Sequence, residues 1–485
     1  LSAVDETLDA RDRVIARTLE GRDGGTIDTY EAAFLTNGDL DWERDALGRL
    51  IEHDTLRQSG GHTVRTSTLP DSALIARETR TWPDGRLHHE TGLAVNDTET
   101  TYGFEADPDT IGNTLETRTT TFLDASGMPT GEFRTLASRP SGLLRLEHRP
   151  AADGSGTVTA RTVLDTAGRT VESEDVHGVI TRFDYPDPFT SIRTLDADQD
   201  DSLGAADTAT RNRRTWASAH GTTVQRQSVE EWNEAGTWEL VSQSDRETLD
   251  VDANGMEAWQ LTYGAETYTL ESPLSGSLRT VTTTFPDGTG SVSQLDGGRL
   301  DWIRRLDDAG SHLRTVTRSY DEFGRVGSVI DSIDGTTTWL YDDLGRITSE
   351  TLPDPDPSDP ADGPETRTTA YTLLANGNEQ QVVTHPGSVT TTTVFDPQGR
   401  TVLRYGFGTW PEAWTYDPAG RQATLTTWQD FDTASGTGLA GETVTRWEYN
   451  DAGLLVQKHY NDTPTGSEPG PLHAYTLGGL LLNRT

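Results

Sequence analysis

A short kernel, Asp or Asn followed three residues later by Gly, recurs from one end of this chain to the other and constrains its fold more than any other feature. The clearest copies are Tyr320 to Arg325 (YDEFGR), Tyr341 to Arg346 (YDDLGR), Phe395 to Arg400 (FDPQGR) and Tyr416 to Arg421 (YDPAGR). Tyr320 and Tyr341 are 21 positions apart, as are Phe395 and Tyr416. Weaker copies keep only the Asx and the Gly, at Asp45 to Gly48, Asp124 to Gly127, Asp165 to Gly168, Asn233 to Gly236, Asp252 to Gly255, Asp307 to Gly310 and Asn450 to Gly453. Self-similarity at a fixed short period is the mark of an array of supersecondary units.

The kernel has a physical reading. An Asx side chain caps the amides of a type I turn, and Gly takes the positive φ that closes it into a bulged hairpin loop. Each kernel is therefore a hairpin tip. The flanks are strand-like: Trp339 and Tyr341, Trp414 and Tyr416, and Trp447 and Tyr449 sit two apart, on one sheet face. Runs such as Arg279 to Phe285 and Ser388 to Phe395 are short and β-branched. No amphipathic helix of useful length is visible.

A 21-residue period leaves two strands of about eight residues, and the chain holds about 23 such units, or roughly 46 strands. Right-handed twist makes so long a sheet coil. The expected fold is all-β, with repetitive antiparallel hairpins over 1–485 forming a spiralling sheet or hollow shell. Repeats are degenerate over 1–300 and clearer over 301–485. The competing architecture is a β-propeller, whose blades of about 40–45 residues would each take two periods. Adjacent units carry the same signature here, and that favours the hairpin spiral.

Composition agrees with a thin sheet. Only 32% of residues are hydrophobic, below the usual globular share of about 45–50%, so a thick core is not expected. The net charge of -38 excludes the basic stripe that a phosphate backbone requires. The chain has no cysteine, which removes disulfides and thiolate chemistry. No run of 18 apolar residues offers a membrane span. The chain starts at Leu1 with no apolar leader and stops at Thr485 within what reads as another repeat, as expected of a fragment of a longer polypeptide.

These kernels resemble the YD or Rhs repeats of bacterial Rhs and wall-associated polymorphic toxins, of insecticidal toxin complexes and of teneurins. The resemblance implies a β-sheet cocoon, extracellular or on the cell surface, which in the toxin branch encloses a C-terminal toxic domain and in the teneurin branch makes cell-surface contacts. Tyr320, Tyr341, Tyr416, Arg325, Arg346, Arg400 and Arg421 would then build the wall, and no residue would be catalytic. The toxin branch ends its shell in a self-cleaving DPxGL-like motif. Asp396 to Arg400, Asp417 to Arg421 and Asn450 to Leu454 approach that motif but stand in repeat register, and are expected to be ordinary turns.

Two insertions break the pattern. The stretch 353–365 is proline-rich and reads as an exposed loop. The acidic insertion 196–212 places Asp196, Asp198, Asp200, Ser202 and Asp207 at positions one, three, five, seven and twelve of an EF-hand-like loop, the spacing that lets alternate oxygens converge on calcium. Asp201 stands where such loops carry Gly. A second partial match, Asp250, Asp252, Asn254 and Gly255, has Leu261 where the last ligand belongs and reads as a turn. Acidic neighbours such as Glu230 and Glu231 could suggest a glycosidase pair, but with 78 acidic residues such pairs arise by chance. The expected role is a scaffold, with no enzymatic activity. The alternative is a surface adhesin or carbohydrate-binding module that uses exposed aromatic rings as stacking platforms.

Overall fold

The computed structural model describes residues 3–196, 203–204, 207–219, 221–233, 235–251, 257–263, 266–271, 274–275, 277–354, 363–463, 466–475 and 481–484. Among them the chain is all-β. The single helical element is a 3-10 turn at Pro386–Ser388.

Strands pair antiparallel with their sequence neighbours. From Thr170–Glu174 to Gly335–Tyr341 the ladder is continuous, each strand bonded to the next along the chain except that Glu266–Glu271 pairs with Leu278–Thr284 past the two-residue strand Leu274–Ser275. The same holds from Ala3–Leu8 to Leu144–Pro150. A propeller would break into blades of four strands, and these uninterrupted sheets do not.

The hairpin tips explain the register shifts that recur beside them. In Thr390–Phe395 and Thr401–Gly406 the register slips between Val394 and Phe395. In Glu412–Tyr416 and Gln422–Thr427 it slips between Thr415 and Tyr416. Each slip is the bulge of a loop whose Gly is left-handed, with φ 79° at Gly399 and 85° at Gly420.

Few side chains are fully buried. Leu115, Leu144 and Val224 reach 0% exposure, and the other buried apolar residues are mostly Ala, Val and Leu. The accessible surface of 27565 Å² compares with roughly 18,000 Å² for a compact globule of this mass. A single sheet layer leaves both faces partly wet, which is how a chain so poor in apolar residues can still satisfy its backbone.

Chain contacts divide the protein into two units. One holds 162–339 and 351–365 with Leu1, and the other holds 2–161, 340–350 and 366–485. The proline-rich insertion is closed at its base by the amide of Leu352, which donates to the carbonyl of Glu365 at 2.7 Å. The acidic insertion is shorter than the sequence suggests. Thr208–Ala219 is a strand, so Thr208 to Asn212 are paired residues and the excursion ends at Asp207.

Candidate functional site

The functional element of the repeat is its tip, and the turn at Asp417 shows how it is built. The amide of Gly420 donates to the carbonyl of Asp417 at 2.8 Å, and the Asp417 amide donates to the carbonyl of Arg421 at 2.8 Å. One oxygen of the Asp417 carboxylate accepts the amide of Arg421 at 2.8 Å, while the other accepts Nε of the Arg421 side chain at 2.7 Å. The same guanidinium lies over the ring of Tyr449, 4.5 Å from its centre. Tyr449 in turn donates its hydroxyl to the carbonyl of Gln422, the residue after the arginine, at 2.9 Å.

The unit repeats. Arg400 pairs with Asp396 and lies over Tyr416, whose hydroxyl donates to Thr401 at 2.7 Å. Arg346 pairs with Asp342 and lies over Tyr371, whose hydroxyl donates to Ile347 at 3.1 Å. Arg169 pairs with Asp165 and lies over Tyr185, whose hydroxyl donates to Thr170 at 3.1 Å. Burial pushes the phenols of Tyr371, Tyr416 and Tyr449 above their usual range. The signature letters thus have separate duties: Asp caps the turn, Gly closes it, Arg neutralises Asp, and a Tyr from a following strand clamps Arg from above. A cation on an aromatic face contributes about 0.5–1 kcal/mol at a partly wet site, and an exposed ion pair about as much.

In the second unit, tips of late repeats bear on residues about three hundred positions earlier. Gln398 donates its side-chain amide to the carbonyl of Val95 at 2.9 Å, across 303 positions. Asn450 does the same to Ala152 at 2.6 Å, across 298. Arg421, already bound to Asp417, also meets Glu132 at 3.0 Å. Gly131 and Gly420 stand where an added Cβ would meet Asp451 and Asn96 respectively. Glu132 is half-buried beside Asp417 and Asp451, and its carboxyl is pushed above the usual range, by desolvation first and by those two negative charges against the opposing pull of Arg421.

The three sequences that approach the DPxGL-like motif are such tips. Gly399, Gly420 and Gly453 each donate to the carbonyl of the Asx three residues before, at 2.8, 2.8 and 2.9 Å. Their Asp and Asn side chains are engaged in capping.

Of the five residues expected to hold calcium, the structure describes Asp196 and Asp207. Both are buried, at 2% and 5% exposure. Asp198, Asp200 and Ser202 lie outside the described residues, as do Asp252, Asn254 and Gly255 of the second partial match. Among the described residues no three metal-ligating side chains cluster. A polar cleft of about 400 Å³ sits beside the 187–190 tip, lined among others by Tyr185, Phe189, Asn212, Arg214 and Gln227. Asn212, Arg214 and Trp216 alternate along Thr208–Ala219, and register places Ser191 opposite Asn212 and Gln227 opposite Arg214 on one face.

The family model of the RHS repeat matches residues 320–356, which contain the tips at Asp321 and Asp342. The chain carries an RHS repeat. Outside 320–356, the same clamp of Asp, Gly, Arg and Tyr is built at the tips that begin at Asp165, Asp396 and Asp417. None of the curated proteins matches the chain. Among solved structures it is similar to TcdB2-TccC3-TEV, with 12% identity over 98% of this chain and 30% of that one and a TM-score of 0.34. It is also similar to TcdB2-TccC3 without its hypervariable C-terminal region, with 11% identity over 100% and 33% and a TM-score of 0.31. The Tc holotoxin pore of Photorhabdus luminescens gives 13% identity over 98% and 29%, with a TM-score of 0.25. The chain spans about a third of the length of these relatives.

Proposed function

We propose that this RHS-repeat chain is a wall segment of a large secreted or cell-surface protein, a scaffold that encloses or presents another domain and performs no chemistry itself. The observation that carries this reading is the use of the tips. Their polar side chains cap turns, clamp the next repeat and bear on residues about three hundred positions earlier, so the chemistry of the signature is spent on building. Such a wall can enclose a toxin domain from the same polypeptide, the arrangement that the family resemblance implies.

Small-angle scattering of the chain tests the scaffold. A shell wall gives a pair-distance distribution skewed to long distances, and a filled globule of 52.9 kDa would sink the proposal. Fusion of a small folded domain after Thr485, followed by limited proteolysis, tests enclosure. Protection of the fused domain supports it, and cleavage at the rate of the free domain contradicts it.

A second reading, a carbohydrate-binding surface, is favoured by the cleft at the 187–190 tip, where Phe189 is 59% exposed beside amide and guanidinium groups, and by Trp216, 70% exposed on the same strand as Asn212 and Arg214. A glycan array that gives hits lost in Phe189→Ala and Trp216→Ala would establish it. An array without hits would remove it.

A further inference from the structure

We propose that the sheet face beginning at the cleft of the 187–190 tip binds a carboxylated saccharide, with the carboxylate on Arg214 and the sugar against Phe189, Trp216 and the neighbouring amides. The inference rests on the carbohydrate-binding reading above and names its ligand class. Two strands build the face, Thr208–Ala219 and Thr222–Trp232. Register sets Asn212, Arg214 and Trp216 opposite Val229, Gln227 and Gln225. Successive side chains of a strand point to opposite faces, so these six share one face, and none of them is acidic.

The other face of the same strands is packed, and its guanidiniums are engaged. Ala209 and Val224 are buried there. Arg211 pairs with Glu230 and lies 4.4 Å over the ring of Trp238, and Arg226 binds both oxygens of Asp245, at 2.7 and 2.8 Å. Arg214 differs. Its backbone amide donates to the carbonyl of Phe189 at 2.8 Å, but among the described residues its side chain makes neither an ion pair nor a hydrogen bond. The other charges at the cleft are matched. Arg169 pairs with Asp165 and lies over Tyr185. Asp187 accepts the amide of Phe189 at 2.7 Å and the hydroxyl of Thr190, and Arg213 supplies its counter-charge. Arg214 is left as the unbalanced charge of the cleft, and it is positive in a chain of net charge -38.

A planar guanidinium meets a carboxylate through paired, charge-assisted hydrogen bonds. Asn212 lies two residues back along the strand and Gln227 directly across from Arg214, about 5–7 Å away in each direction. Their amides both donate and accept, as the hydroxyls of a sugar require. Phe189 and Trp216 are each more than half exposed. Phe189 reaches Arg214 through the backbone bond just described, and Trp216 follows it by two residues on the same face. Rings with one wet face are stacking platforms for the apolar side of a pyranose. The cleft volume of about 400 Å³ lies toward the small end of ligand sites, about 300–1,000 Å³, and suits one or two sugar units. An acidic peptide would bring the carboxylate without the row of hydroxyls, and a saccharide uses both sets of groups.

Calorimetric titration of the full chain with a uronic-acid disaccharide, and with its neutral carboxyl-reduced counterpart, tests the assignment. The acid should bind at least about tenfold more tightly, as expected of a hydrogen-bonded charge pair. Raising salt from about 0.05 to 0.5 M should shrink that difference by screening. Arg214→Gln should remove the preference while leaving the affinity for the neutral sugar unchanged, and Trp216→Ala should weaken both. Equal binding of the two sugars by the wild-type chain, or a preference that survives Arg214→Gln, would overturn the carboxylate assignment and leave the carbohydrate reading standing. An acidic peptide of the same charge that binds as tightly as the disaccharide would overturn the saccharide class. Binding of neither sugar would remove both readings. The comparison of the two sugars uses the wild-type protein, so it decides even where a variant fails to fold.

Discussion

The tips at Asp307 and Asp417 have the same backbone and different side chains. In both, the Asx carbonyl accepts the amide of the Gly three residues on, at 3.1 Å for Gly310 and 2.8 Å for Gly420. In both, a carboxylate oxygen accepts the amide four residues on, at 2.7 Å from Ser311 and 2.8 Å from Arg421. There the likeness stops. Ser311 extends nothing, whereas Arg421 pairs with Asp417, lies under Tyr449 and reaches Glu132. The turn needs only Asx and Gly, and the full signature is required where a tip must also hold its neighbours.

That contrast can be broken by substitution, and the largest effect is expected at the glycines. Gly420→Ala forces a left-handed L-residue, at about 1–2 kcal/mol, against Asn96, whose side chain lies 3.1 Å from the new Cβ. Gly310→Ala meets nothing within 4 Å and should cost only the backbone strain, at the low end of the same range, about 1 kcal/mol. Urea midpoints of the two variants compare them, and an equal loss would mean that the Asp417 tip is as free as the Asp307 tip.

Arg421→Ala should come next, at about 1–2 kcal/mol from the lost ion pairs and ring contact together. Ser311→Ala should stay within about 0.5 kcal/mol. Asp417→Asn against Asp307→Asn sharpens the point further. Asn still caps both turns, so Asp307→Asn should be near neutral, while Asp417→Asn loses the pairing with Arg421, at about 0.5–1 kcal/mol.

The smallest effect is on pH dependence. Because the carboxyl of Glu132 is raised in the fold relative to the unfolded chain, the folded state binds its proton more readily. Its contribution to stability therefore falls as pH rises from the ordinary carboxylate range through the raised value, and recovers as pH is lowered. Glu132→Gln should flatten that limb of a stability profile measured between pH 4 and 7 by about the effect of one titrating group. A profile unchanged by the substitution would show that neither burial nor the charges of Asp417 and Asp451 raise the Glu132 carboxyl.

Much of the fold was legible because its cause is local. An Asx cap and a left-handed Gly act within five residues, so the tips, the strands between them and the continuous ladder follow from the spacing. The clamp was not legible in detail. The phenol that covers Arg421 is Tyr449, and the distance along the chain differs from one repeat to the next, with Arg346 under Tyr371 and Arg400 under Tyr416. The contacts of Gln398 with Val95 and of Asn450 with Ala152 leave no periodic trace, because the accepting groups are backbone carbonyls that any residue supplies. The acidic insertion is intermediate. Its spacing suggested a cation loop, and the start of a strand at Thr208, paired with Leu195, moved its boundary.

The central claim is that tips of late repeats seat on residues about three hundred positions earlier. The chain has no native cysteine, so Val95→Cys and Gln398→Cys can be introduced together and treated with a short bismaleimide in the folded protein. The contact of Gln398 with Val95 at 2.9 Å predicts rapid intramolecular cross-linking of this pair, at a rate independent of protein concentration and lost in denaturant. If the folded protein yields no intramolecular product, or if cross-linking appears only on unfolding, the two stretches are not in contact and the claim is wrong.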